Sequence, residues 1–244
     1  MTETASIPAQ RFEAHDTAHA KLMQSLLPAG TGPETRERWW IDFEIQGDLR
    51  FISHHDTLRL FRRAFARAAF PIHYTGRFNP HPKLTLPLPR SVGMSSEAEV
   101  IVFEVVGALS RTGVLDGLAA QMPNGINLLN ARKLEPNEKP QPDSATYRFT
   151  PDLVQLSDIK ERIEAINCGT SELLIERKTP KLKSARTIDI RQYLVDVALL
   201  ASDVVFTLRV TSTGTARPSE VVGLIFPDAD AVNHRIHRQT VRWR

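Results

Sequence analysis

A proline-rich, polar break at residues 135–144, EPNEKPQPDS, most constrains the fold, because the same order of strand and helix patterns stands on either side of it. Before the break, residues 39–50 alternate apolar and polar as a strand and end at the Gly47-Asp48 turn. A helix over 53–69 follows, stopped by Pro71, then a strand over 72–78, a strand over 99–106, a helix over 111–122 and a strand over 126–134. After the break, a strand opens at 147–150 and a helix covers 156–167. Strands follow at 172–178 and 204–211, then a short helix over 218–225 with Pro218 in its first turn, and a closing strand over 234–243. Residues 187–195 add an extra segment. Each half reads β-α-β-β-α-β, which predicts an α+β chain of two tandem ferredoxin-like, split β-α-β halves with antiparallel sheets. The expected units are an N-terminal tail and linker over 1–38, a first half over 39–135, a linker over 136–144 and a second half over 145–244. Element order alone carries this reading; the two halves show no sequence repeat.

The apolar fraction of 41% is enough for a packed core in a chain of 244 residues. Net charge is only +3 despite a pI near 9.2, so partners must be argued from local clusters of charge. A lone cysteine, Cys168, excludes an internal disulfide framework and a Cys-rich zinc or iron–sulfur site, and fits a reducing cytoplasm. The sequence shows no signal-peptide pattern and no bilayer-length apolar run, so a cytoplasmic protein with no membrane partner is expected. No metal or cofactor site is expected from the motifs present.

The helix over 53–69 carries the clearest functional signal. Ser53 is its expected N-cap, with Asp56 three residues on giving a start like a capping box. Leu58, Phe61, Ala64, Phe65 and Ala68 fall on one side, and Arg59, Arg62, Arg63 and Arg67 on the other. Across 53–90 those arginines, with Arg77, Lys83 and Arg90, face a single acid, Asp56. Guanidinium groups along one helix face match the spacing of backbone phosphates and would bind a polyanion by charge. The plainer reading is a solvated face whose arginines pair with acids elsewhere, such as Glu97 or Glu99.

The loop Gly76-Arg77-Phe78-Asn79-Pro80-His81-Pro82-Lys83 follows. Its prolines stiffen it, which lowers the ordering cost of binding, and Asn79, His81 and Lys83 project polar groups from that frame. A structural connection across a sheet edge is the plain alternative, and the four prolines of 79–89 argue for an extended loop over a central strand. His54 and His55 could act as proton carriers or metal ligands, but adjacent helical residues point about 100° apart, which favours a capping role for the His54-His55-Asp56 group. Two further basic segments stand at 177–191, with Arg177, Lys178, Lys181, Lys183, Arg186 and Arg191, and at 234–244, with four arginines and no acid. An exposed hairpin tip and a solubilising tail strand are their plain explanations. The turn at 213–220, containing Gly214 and Arg217, reads as a helix start, and no Walker A, GxSxG or CxxC motif occurs.

Residues 47–99 resemble the radical SAM-linked protein family, a domain of unknown function. Its Gly-Asp-Leu-Arg-Phe start, Ser-His-x-Asp helix opening, Arg-Ala-x-x-Arg-Ala helix and Phe-Asn-Pro-His-Pro-Lys loop correspond to Gly47 to Arg50, Ser53, His54, Asp56, Arg63 to Ala68, and Phe78 to Lys83. Gly93, Ser96 and Glu99 match the run that follows, and Ile188 to Arg191, Gly214 and Arg217-Pro218 match sparser elements of the second half. Arg77 departs from the family, which has Gly there. The resemblance implies an accessory partner of a radical SAM protein, since one cysteine cannot supply such an enzyme's own cluster.

The expected function is therefore an accessory substrate-binding or adaptor protein, not itself catalytic, with RNA as the favoured ligand. Its expected contacts are Arg50, His54, Asp56, Arg59, Arg62, Arg63, Arg67, Asn79, His81, Lys83, Lys181, Lys183, Arg186, Arg191 and Arg217. One alternative is metal-independent RNA processing by His54, His55, His81 and Lys83. Another is a protein–protein scaffold anchored by an exposed Trp39-Trp40 pair and an N-terminal helix over 12–27.

Overall fold

A computed structural model describes residues 35–76, 78–151, 156–169, 172–177, 186–226 and 232–244. The expected N-terminal helix, Arg77, Lys178, Lys181 and Lys183 lie outside the described residues. The described chain is mixed α+β, and its main sheet is mostly antiparallel.

In the first half, β1 (Arg36–Ile45) pairs antiparallel with both β5 (Ser95–Val106) and β6 (Ile126–Lys133). Helices α1 (His54–Arg67) and α2 (Arg111–Ala119) supply the apolar cover. The stripe predicted for α1 is the buried one. Phe61 meets Phe43 with ring centroids 4.9 Å apart, and Phe65 meets Phe103 at 4.6 Å, so the helix is fixed to β1 and β5 by aromatic edges. Ser53 caps the helix as its sequence suggests: its hydroxyl accepts from the Asp56 amide at 3.1 Å and donates to the Asp56 carboxylate at 2.6 Å.

The segment between α1 and β5 differs from a plain strand and loop. Ile72 bridges to Val105 and β4 (Leu84–Thr85) pairs with Phe103 and Val102, so two pieces of chain line the same edge of β5. Between them β2 (Tyr74–Thr75) and β3 (His81–Pro82) form a small hairpin of their own. The prolines limit each strand to two residues, because Pro has no amide to give to a ladder.

In the second half the sheet runs β10 (Leu194–Leu200), β11 (Asp203–Arg209), β7 (Pro142–Phe149), β12 (Ile236–Trp243), all antiparallel. Helices α3 (Leu156–Cys168) and α4 (Pro218–Ile225) accompany it, and Ile159, Val221, Val222 and Ile225 are buried with Phe149 and Phe206. The expected extra segment resolves into β9 (Arg186–Asp189), which pairs with β8 (Leu174–Arg177) off the main sheet, and the start of β10.

The two halves share one eight-stranded sheet. The join is short: β12 lies parallel to β5 through His237↔Ser95 and Arg238↔Ser96 alone. The proline-rich break is also tied down. Glu138 takes a bidentate contact from Arg132, and its carbonyl accepts from Arg38 at 2.7 Å. This region sits beside a second small core of Trp40, Val100, Val102 and Leu134, against which Trp243 packs edge-on to Trp40 at 4.9 Å. Trp39 and Trp40, expected as exposed anchors, are each only 4% exposed, because alternation along β1 sends them to the two covered faces of the sheet. No helix among the described residues is long and apolar enough to cross a membrane.

Candidate functional site

Four arginines stand on the outer face of α1, all exposed. They are not equivalent. Arg59 reaches Asp56 at 3.1 Å in an exposed i,i+3 pair. Arg67 crosses to the end of α2, donating to the Gln121 side chain at 3.0 Å and to its carbonyl at 2.6 Å. Arg62 and Arg63 have no carboxylate partner among the described residues. Glu97 and Glu99, the acids that could have neutralised this face, are engaged elsewhere: Glu97 lies 3.6 Å from His237 and Glu99 pairs with Arg238. Beside the face runs an open groove of about 560 Å³ between α1 and the end of α2. Arg59, Arg63 and Arg67 form its basic side, and Ile52, Leu60, Met122 and Pro123 give it an apolar floor. Gln121, which sequence reasoning missed, is the residue that ties its two walls together.

Below the start of α1 lies the polar seam between the halves. Arg238 is 2% exposed and donates to Glu99 at 2.8 Å and to the Pro89 carbonyl at 2.9 Å. Burial alone would push its guanidinium down, but Glu99 and Tyr147 outweigh that and hold it above its ordinary range. Arg90 threads the same region, giving its guanidinium to the carbonyls of Arg50 at 2.6 Å and of Met94. Burial pushes it down, against the pull of Glu99. His54 lines a cavity of about 10 Å³ with Thr57, Arg90 and Glu99, a volume on the order of one water. Its Nδ1 is buried without a hydrogen-bond partner among the described residues. Desolvation pushes the imidazole down, the neighbouring His55 adds to this, and Glu99 opposes it. The rings of His54 and His55 stand 5.7 Å apart and nearly perpendicular.

The hairpin of β2 and β3 is anchored at its base. Glu104, nearly buried on β5, holds Lys83 Nζ at 2.6 Å and lies 3.0 Å from His73 Nδ1, close enough for an ion pair although not aligned as a hydrogen bond. Main-chain bonds join the same three residues: His73 to Glu104, Lys83 to His73 and Glu104 to Lys83. Lys83, expected as a ligand contact, is thus paired with Glu104 while its side chain stays half exposed. Asn79 and His81 are exposed at the hairpin. Gly76 adopts φ +99°, and a Cβ there would come within 2.6 Å of the Asn79 carbonyl oxygen, so the tip needs glycine at this position. Glu104 was legible as an acid inside an otherwise apolar strand, VIVFEVV.

The other expected contacts among the described residues lie outside α1. Arg50 donates to the His234 carbonyl at 3.2 Å and is spent on the seam. Arg191 donates to the Ile166 carbonyl at 2.7 Å, and Arg177 makes a two-pronged pair with Glu220 at 2.6 and 2.7 Å. Arg217 lies 3.9 Å from Glu220, whose carboxylate also accepts from its amide. Arg186 is exposed on β9, the partner of Arg177 in the off-sheet hairpin. The basic C-terminal strand is not a solubilising tail: Arg238 is buried, and Arg242 and Arg244 approach Asp143 at 3.4 and 4.0 Å.

A family model described as an uncharacterized protein conserved in bacteria, DUF2344, matches residues 38–218, which include α1, the groove, the hairpin and Glu99. The chain belongs to this family. A search of curated proteins finds no match for this DUF2344 member. The matched span starts within β1 and ends at the first residue of α4, so it covers both halves of the shared sheet except β12.

Proposed function

We propose that this protein is an accessory substrate-binding protein that holds RNA along the outer face of α1 and in the adjoining groove. The observation that carries the reading is that Arg62 and Arg63 stand exposed without an acid partner among the described residues, on the same helix as Arg59, and that Arg63 lines a groove with an apolar floor. A cationic rim would take phosphates and the floor formed by Leu60 and Met122 would take the flat faces of bases. The association with a radical SAM protein belongs to the same proposal and rests on the resemblance of residues 47–99. So does a cytoplasmic setting, which the exposed free Cys168 supports.

The finer fold is proposed with it: each half is a split β-α-β unit. The strand orders β4-β5-β1-β6 and β10-β11-β7-β12 support this, since each places the first and third of its four strands side by side at the centre. The alternative, metal-independent RNA processing by His54, His55, His81 and Lys83, would draw on groups on different elements, with His54 and His55 at the start of α1, His81 on the hairpin and Lys83 paired with Glu104.

The test is fluorescence anisotropy with structured RNAs over a salt series, comparing wild type with Arg62→Glu/Arg63→Glu. These two arginines leave the Arg67–Gln121 link untouched, so the fold is preserved. Binding that weakens steeply with salt, and is lost in the variant, is the expected result. Equal affinity of variant and wild type at low salt would reject the α1 face.

A further inference from the structure

The side chain of Phe78 is 97% exposed, the most exposed of the large apolar residues described. It sits at the tip of the β2–β3 hairpin, and no hydrophobic cluster among the described residues takes it in. The hairpin is nevertheless held in shape. Gly76 supplies the left-handed turn, Thr75 pairs with His81 and Tyr74 with Pro82, and the base is clamped on Glu104 by Lys83 and His73. An aromatic ring held out on a fixed support loses little conformational freedom when it meets a ligand.

The charge around the ring selects the ligand. From Thr57 to Ser96 the sequence has no acidic residue, while Arg77 precedes Phe78 and the arginines of α1 lie upstream. Glu104, at the base of the hairpin, is paired with Lys83 and His73. Asn79 and His81, both exposed, follow Phe78 within three residues and carry hydrogen-bonding groups. An exposed aromatic face followed by an amide and an imidazole, in a stretch of sequence without acids, matches an unpaired nucleobase.

We propose that Phe78 is the base-stacking residue of this protein, receiving an unpaired base of a single-stranded RNA segment, with Asn79 and His81 at the base edge. The inference rests on the RNA reading above and adds strand state to it: the hairpin selects single-stranded over duplex RNA. Stacking uses the base face, which a duplex hides, whereas the α1 arginines contact phosphates that both forms present.

The experiment measures binding of a labelled single-stranded RNA of mixed sequence, and of the same sequence annealed as a duplex, to wild type, Phe78→Ala and Phe78→Trp. Removing a nearly fully exposed side chain leaves the fold intact. Phe78→Ala should weaken single-strand binding about tenfold, as expected for one base–aromatic stack, and leave duplex binding and the salt slope unchanged. Phe78→Trp should retain affinity and show quenching of its exposed indole on single-strand binding. Single-strand affinity unchanged in Phe78→Ala, with no quenching in Phe78→Trp, overturns the inference, points to a pocket of a partner protein as the seat of Phe78, and leaves the arginine-face reading standing. Failure of the wild type to bind either RNA overturns both.

Discussion

Arg238 and Glu99 form an ion pair of 2.8 Å across the seam where β12 meets β5, and both residues are buried. The parallel pairing of the two strands involves only two residue pairs, one of which contains Arg238. The side-chain contact therefore does much of what the short ladder cannot: it links the last strand of the chain to the central strand of the first half. Arg238 also reaches the carbonyls of Leu88 and Pro89, which fixes the chain leaving β4.

Removal of one partner should thus be costly. Glu99→Ala takes the carboxylate from a buried guanidinium, leaving it the carbonyls and Tyr147, and a loss of about 3–5 kcal/mol in unfolding free energy is expected. Replacing both partners by apolar residues, Glu99→Leu with Arg238→Met, should recover much of that loss. Urea denaturation of the single and double variants checks this, and a double variant as unstable as Glu99→Ala would show that the seam needs the charges themselves.

His54 makes stability depend on pH. Its folded-state pKa lies below the ordinary 6.5, first through burial and then through His55. The folded protein therefore binds fewer protons than the unfolded chain between the depressed value and 6.5, and stability rises with pH across that window. The protein should lose stability as pH falls from 7 through 6.5, and the loss should level off below the folded pKa. Urea midpoints at pH 7.5 and 5.5 are the measurement. His54→Gln should flatten the dependence, and an unchanged pH profile in that variant would remove His54 from this role.

Much of the architecture was legible because it depends on local periodicity. The α1 stripe of Phe61, Ala64 and Phe65, the Ser53 cap and the helix over Pro218–Ile225 follow from spacing and end signals that act within a few residues. The sharing of one sheet was not legible, since it rests on a pairing of Arg238 with Ser96 between residues far apart in sequence. The same limit applied to charge. Arg238 and Arg63 look alike in sequence, yet one is buried against Glu99 and the other is exposed with no acid partner among the described residues, and only tertiary structure assigns the acids. Trp39 and Trp40 illustrate the converse. Both faces of β1 are covered in this fold, so alternation predicted which face each tryptophan takes but not that both would be buried.

Glu104 is expected to control the hairpin more than the overall fold. Glu104→Gln removes the charge that holds Lys83 and His73, but Lys83 is half exposed and can return to water, so the global loss should be small, about 1–2 kcal/mol. The local effect should be larger: limited proteolysis should cut between Gly76 and Lys83 in the variant and spare that segment in wild type. A variant with wild-type resistance would show that the main-chain bonds of His73 and Lys83 suffice to hold the hairpin.

Gly76 offers the sharpest separation of hairpin shape from fold stability. Its φ of +99° disfavours any residue with a Cβ, and the added carbon would meet the Asn79 carbonyl oxygen at 2.6 Å, closer than contact allows. Gly76→Ala must therefore reshape the tip, moving Phe78 and Asn79, at a local cost of about 1–3 kcal/mol. Because β2 and β3 pair only with each other, this strain should not spread into the main sheet. The expected outcome is a thermal midpoint close to wild type, faster amide exchange in the hairpin, and single-strand RNA affinity reduced to the level of Phe78→Ala. If affinity stays at the wild-type level while hairpin exchange rises, the shape of the tip is irrelevant to binding; if the midpoint drops sharply, the hairpin is part of the cooperative core and not an appendage on its edge.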